Sequence, residues 1–378
     1  MVFKLAGLDI KAFGPAEPRP LPGGAADTRL AWTERAGQPG LRVEAASLRG
    51  RPVYFRVMST LTPVDIARAP VERGARALLW GLYPLFVVTV ISAIAFMRRN
   101  LTLGRGDRAG ATRLALLIGV ATLLSATLSA SWPSDGLVQT VMSGALSVAM
   151  FMAGSCWVFY LAIEPYARRQ WPRTLTGWTR FIHGEWRDPL AGRELLVGAA
   201  TGMALLAIQR PVVGLGQLGR SGLELDAYGS VLGALSVGIN QIGSVVSFNL
   251  AWIVLLLLGR RITRRNVLAL GIPIVSFAAV FTASSAASSL AQYLLIFGIV
   301  VVRLAVSTVL YLRVGFLALV AYAFTMAVLS VMPLSFTSGS YFAGLAWLAV
   351  AVASAPALFG LYTSLAGQSV FFNAPEDR

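Results

Sequence analysis

The sequence predicts an all-α polytopic membrane protein of about nine transmembrane helices, carrying a small α+β extracytoplasmic region at its N-terminus. The first observation is composition: 56% of the 378 residues are hydrophobic and 13% charged, whereas about a quarter of a soluble domain is charged. The second is length, because apolar runs of about 20 residues, enough to cross roughly 30 Å of hydrocarbon as helix, recur from Leu78 onward. The third is that these runs are continuously apolar, where a barrel strand would alternate. Helices are then the spanning form, since each satisfies its own backbone inside lipid.

Residues 1–77 differ in kind, with polar and Pro/Gly-rich stretches such as "FGPAEPRPLPGG" and no run long enough to span. "DTRLAWTERA" (27–36) reads as a short helix with Asp27 at its N-cap. "LRVEAAS" and "VYFRVMS" flank a Gly-containing turn, with Leu41, Val43, Ala45 and Val53, Phe55, Val57 alternating as in a β-hairpin with one buried face. So thin a core is marginal alone, which suggests the tail of a larger domain.

Spans are expected at about 78–97, 114–132, 137–163, 195–213, 230–258, 267–283, 290–312, 314–334 and 341–365. Nine is the best count, with eight and ten the alternatives. The fourth is interrupted near its end by Arg210 and Pro211, and the fifth is long, with Asn240 and Gln241 in its middle.

The net charge is +15, and the arginines fall between spans instead of forming one soluble basic face, so a nucleic-acid partner is set aside. The connections after spans one, three, five and seven carry sixteen arginines; the even-numbered ones, with the end of span four, carry Arg210 and Arg220 alone. Positive charge marks the cytoplasmic side. The odd-numbered connections and the tail 366–378 are therefore expected in the cytoplasm, and the N-terminal region outside.

The densest connection, within 165–193, holds Trp171, Leu175, Trp178 and Ile182 at helical spacing, beside Arg168, Arg169, Arg173 and Arg180. Tryptophan at headgroup depth and snorkelling arginine predict an interfacial helix lying on the lipid bilayer, its main partner. Asp188 and Pro189 read as N-cap and first helical residue of span four.

"YLAIEPYARRQWPRTLTGWTRFIHGEWRDPLAGRELLVG", "RRNLTLGRGDRAGATRLAL" and "DTRLAWTERAGQPGLRVEAASLRGRPVYFRV" together resemble the polytopic C-terminal region of large bacterial membrane-anchored serine/threonine protein kinases. The similarity covers most of the chain and is strongest over 9–200. It implies a bacterial inner-membrane protein that begins inside an extracytoplasmic region, with a kinase domain or kinase-like partner in the cytoplasm. The kinase domain itself is missing here, so no catalytic residue carries over. "MVFKLAGLDI" does not read as a signal peptide, which suggests a fragment, a misplaced start or a degenerate paralogue.

Catalytic chemistry finds no constellation. "GLGQLG" (Gly214, Gly216, Gly219) matches a glycine-loop spacing, but without the strand lysine and the H-R-D and D-F-G segments a kinase needs. His183 and Cys156 are the only residues of their kinds, which excludes multi-His and multi-thiolate metal sites, and no cofactor is implied. His183 reads as a surface residue and Cys156 as a small buried hydrophobe.

Polar groups within spans are the better candidates, because burying them is costly. Arg303 lies mid-span, where exposure to lipid would cost about 2.5–3.5 kcal/mol. It must face a bundle interior, a partner or a water pocket, either to pack or to hold a ligand or ion. Asn240, Gln241, Asn249 and Gln292 are candidates to line the same interior, although interhelical hydrogen bonding explains them equally well. "GAATG" (Gly198, Gly202) is a small-xxx-small face for close contact within the chain.

The favoured function is a non-catalytic membrane module, the sensory or anchoring part of a signalling system. The alternative is a small permease-like transporter using Arg303 and its polar neighbours.

Overall fold

The computed structural model describes residues 8–18, 27–35, 41–48, 51–59, 73–129, 144–213, 231–263, 266–283, 290–331 and 343–365. The chain divides between Arg73 and Gly74 into two compact units.

In the first unit, one turn of 3-10 helix at Ile10–Ala12 leads into four antiparallel strands in sequential order: β1 (Phe13–Ala16), β2 (Thr28–Glu34), β3 (Leu41–Leu48) and β4 (Arg51–Ser59). The expected β3–β4 hairpin is present, pairing Val43 with Val57 and Ala45 with Phe55. The expected helix over 27–36 is overturned, because that stretch is strand β2. Its backbone groups pair on both sides, with β1 and with β3, and this ladder outweighs any helical preference of a seven-residue segment. The buried face also departs from strict alternation. Glu44 and Ala46 are buried as well as Val43, a register shift falls at Ala46/Ser47, and the core is Phe13 and Val43 packed by Leu8, Trp32 and Leu41.

The second unit is helical: α1 (Arg73–Thr102), α2 (Arg108–Ser129), α3 (Leu146–Gln170), α4 (Thr176–Ile182), α5 (Pro189–Val213), α6 (Val231–Thr263), α7 (Asn266–Ala283), α8 (Leu290–Arg313), α9 (Phe316–Val331) and α10 (Ala343–Ser364). All but α4 fall on the apolar stretches expected to span. Seven of them are long and apolar enough to cross a membrane; the apolar parts of α7 and α9, Leu268–Thr282 and Phe316–Val331, are shorter. The break expected at Arg210 and Pro211 does not end α5, which runs on as helix to Val213. The arginine-poor connections "SWPSDGL", "SSAASS" and "SFTSGS", the segment with "GLGQLG" and Arg220, and the tail 366–378 lie outside the described residues.

The 33-residue α6 is the axis of the bundle and packs on α2, α3, α7, α9 and α10. Helix α5 lies against α9 and α10. Its glycines explain how: a Cβ on Gly198 would overlap Ala318 O, and one on Gly202 would stand 2.9 Å from Tyr322 O. On the other flank, a Cβ on Gly360 would meet Gly192 O at 2.6 Å. Backbones this close gain dispersion contacts that lipid tails cannot outcompete, and the small-xxx-small face serves contact within the chain.

Polar atoms between helices are paired across them. Pro165 has no N–H to give the carbonyl of Leu161, and the buried Asn100 Nδ2 of α1 donates to that oxygen at 2.8 Å. Ser125 of α2 and Ser236 of α6 exchange hydroxyl-to-carbonyl bonds of 2.9 and 2.7 Å.

The ends of the helices sort consistently. Asn100 near the end of α1 and Gly106 before α2 meet Leu161 of α3, and Trp171 after α3 packs on Tyr311 near the end of α8. Phe316 N at the start of α9 donates to Thr174 O at 2.7 Å. Gly192 near the start of α5 meets the end of α10, and Gly259 near the end of α6 meets Ala269 near the start of α7. One pole thus collects the ends of α1, α3, α6, α8 and α10 and the starts of α2, α5, α7 and α9. The described arginines at Arg98, Arg99, Arg105, Arg168, Arg169, Arg173, Arg180, Arg187, Arg260, Arg261 and Arg313 all sit at or between those ends.

Candidate functional site

Arg303 sits in the middle of α8, and its Nε donates to Gln209 Oε1 of α5 at 2.7 Å. Tyr322 of α9 donates its hydroxyl to the Arg303 carbonyl at 3.3 Å. Three helices therefore meet at this residue, with Gln209 on its guanidinium and Tyr322 on its backbone carbonyl. Gln209 is 5% exposed, and Arg303 Nη2 is buried without a hydrogen-bond partner among the described residues. The bond to Gln209 removes part of the cost of burying the charge, and the free Nη2 leaves a donor available to an anion or a carbonyl.

The structure brings Arg303 together with Gln209, which the sequence reading did not choose. Asn249 Nδ2 instead donates to Val245 O on its own helix at 2.8 Å. Asn240 and Gln241 are half-buried on α6, and no hydrogen bond joins either to Arg303. Gln292 is half-buried on α8, three turns and about 16 Å before Arg303 along the helix axis.

The arginine pole is built on the connection between α3 and α5. Here the expected interfacial stripe turns inward, which corrects the assignment of Trp178 as a headgroup anchor. Trp178 is 4% exposed and meets Phe316 edge-on at 4.8 Å between ring centroids, and Leu175 is buried with it. Trp171 is half-buried, packs edge-on against Tyr311 at 5.5 Å and carries the Arg260 guanidinium 5.3 Å above its ring. Edge-to-face contacts and a cation over indole hold these rings against the bundle. Helix α4 is accordingly only seven residues, strapped onto the bundle. Arg168, Arg169, Arg173 and Arg180 remain exposed. Arg168 pairs with Glu164 one turn back, and Arg180 Nη1 reaches Asp188 Oδ2 at 2.5 Å.

Asp188 acts as the N-cap expected of it, accepting from Leu190 N at 2.9 Å and Ala191 N at 3.1 Å. Partial burial pushes its carboxyl up, but the Ala191 and Leu190 N–H groups and the Arg180 guanidinium outweigh that and hold it below the usual carboxylate range.

Sequence reasoning missed Glu194. This residue is 1% exposed, six positions into α5, with its carboxylate wedged between two glycines: a Cβ on Gly177 or on Gly315 would lie 2.5 Å from an oxygen. The N–H groups of Leu317, Ala318 and Gly177 face it, although neither oxygen closes a hydrogen bond of good geometry. Leu317 and Ala318 open α9, so the buried carboxyl group faces N–H groups that a helix start leaves without intrahelical partners. Gly315 has φ +151°, a backbone open to glycine, which lets the chain turn from α8 into α9 around the carboxylate. The signal available in sequence was an acidic residue bordering the apolar run expected at 195–213.

No protein-family model, curated protein or solved structure matches the chain. The apolar helices define it as a multi-pass helical membrane protein in contact with a lipid bilayer.

Two predictions follow from these contacts. Arg303→Met and Gln209→Leu each leave a buried polar partner orphaned, so each destabilises the protein. The double variant is less destabilised than their sum by about 1–2 kcal/mol, read from unfolding in detergent micelles; strictly additive losses would show that the bond is not made. For Asp188, the depressed carboxyl contributes stability that is complete above the ordinary carboxylate pKa of about 3.9 and lost as pH falls through the lower folded-state value. Asp188→Ala costs about 1 kcal/mol at neutral pH and flattens the acid limb of a plot of melting temperature against pH.

Proposed function

We propose that the chain is a non-catalytic, nine-span module of the bacterial inner membrane, with its N-terminal sheet outside and its arginine pole and C-terminus in the cytoplasm. There it serves as the sensory or anchoring part of a signalling system. The observation that carries this reading is the gathering of arginine-bearing helix ends at one pole of the bundle. Guanidinium groups resist translocation, so a pole that concentrates them stays on the side of synthesis. Nine crossings also account for α7 and α9: their short apolar stretches lie between longer helices whose ends alternate between the poles. At 16 residues α9 is about 24 Å long, and it is largely buried among protein neighbours, which spares it from matching the bilayer alone.

The strap from Trp171 to Asp188 supports a coupling role. It touches α8 through Tyr311 and α9 through Phe316 and Thr174, so a shift of these helices moves the exposed Arg173 and Arg180 with it. The kinase resemblance supports a kinase domain or kinase-like protein as the recipient of that movement.

The test is accessibility of single cysteines in whole cells, after Cys156→Ser. A cysteine at Ser134, in an arginine-free connection, reacts with an impermeant maleimide; one at Thr263, at the arginine pole, reacts only after the membrane is opened. The reverse pattern overturns the orientation. For the signalling role, the coding sequence beside this gene in several bacteria should specify a kinase domain or its remnant; unrelated neighbours throughout remove that support.

A further inference from the structure

At the arginine pole, a cleft of about 390 Å³ opens between the ends of α1, α3 and α6, lined by Phe96, Tyr166, Arg169, Gln170, Leu257 and Arg261. We propose that this cleft binds an acidic phospholipid, its phosphodiester held by Arg169, Arg261 and Gln170 and the start of its acyl chain lying along Phe96 and Leu257.

Charge accounting separates these two arginines from their neighbours. Arg168 is paired with Glu164, and Arg260 lies over the Trp171 ring. Arg169 and Arg261 have no carboxylate partner among the described residues, yet two helices bring these residues, 92 positions apart in the chain, to one cleft. Gln170 adds an amide at the rim. A phosphodiester offers the acceptors that two guanidinium forks and an amide require.

The walls say which source of phosphate fits. Phe96 and Tyr166 stand 5.2 Å apart between ring centroids as one side of the cleft, and Leu257 is buried in its floor. Ile94 on α1 and Ile262 on α6 are exposed on the outer flanks of the same helices, the surface that acyl chains cover. The half-basic, half-apolar cleft therefore opens at headgroup depth, where basic pockets between helices select acidic lipids. A free phosphate ion would use the guanidinium groups and leave the apolar wall idle. The inference rests only on the membrane-spanning class and holds whichever leaflet the arginine pole meets, so its failure and a failure of the orientation are separate results.

The test uses the full chain, delipidated in a neutral detergent, with binding followed by native mass spectrometry and by thermal shift. The probes are phosphatidylglycerol, phosphatidylcholine and inorganic phosphate. Wild type should bind phosphatidylglycerol in preference to phosphatidylcholine, with no stabilisation by inorganic phosphate at equal concentration. Arg169→Gln/Arg261→Gln should weaken phosphatidylglycerol binding roughly tenfold or more, while Arg105→Gln/Arg187→Gln, an equal charge change away from the cleft, should alter it less than about twofold. Equal losses in both pairs would reduce the effect to surface charge and overturn the site. Stabilisation by inorganic phosphate equal to that by the lipid would overturn the lipid assignment. Gln170→Trp, which fills the cleft mouth and keeps both arginines, should also displace phosphatidylglycerol; unchanged binding there overturns the proposal even if the double arginine variant fails to fold.

Discussion

Hydrocarbon offers no hydrogen-bond partner, and the helical unit is organised by that lack. Helices satisfy their own backbone, and what they leave open is answered by a neighbour: Asn100 takes the carbonyl that Pro165 releases, and Ser125 and Ser236 answer each other. Arg303 and Gln209 are the most expensive case, because one partner carries a full charge. Since apolar side chains gain little by leaving lipid for protein, close backbone approach at Gly192, Gly198, Gly202 and Gly360 supplies the remaining adhesion.

The same cost sets the character of the two poles. Guanidinium groups favour water and headgroups, and Arg99, Arg168, Arg169, Arg260, Arg261 and Arg313 lie in the last turns of α1, α3, α6 and α8, where unsatisfied carbonyls welcome a cation. On the same pole the Asp188 carboxylate serves the opposite need at the start of α5. The lipid cleft is a consequence: where three helix ends converge, two arginines outnumber the acids available to them.

Much of this was legible in the residues. Apolar runs located nine of the ten helices among the described residues, seven of them long and apolar enough to cross a membrane, and Asp188-Pro189 marked the start of α5, because each depends on short-range pattern alone. The strand at Thr28–Glu34 was not legible, since its ladder partners lie up to 21 residues away. Trp178 misled for a related reason: an indole beside arginines suits a headgroup layer, and only the position of Phe316, 138 residues further along, shows that a protein ring takes its place.

The sequence by itself determined the membrane class, the helices and the asymmetry of charge, because burial in lipid is priced residue by residue and needs no knowledge of neighbours. Only the tertiary structure decided that Arg303 meets Gln209 rather than Asn240, Gln241 or Asn249, that Glu194 sits between Gly177 and Gly315, and that Arg169 and Arg261 share a cleft. Those are pairings between helices, set by which faces pack. Apolar helices of near-uniform surface carry almost no local record of that choice.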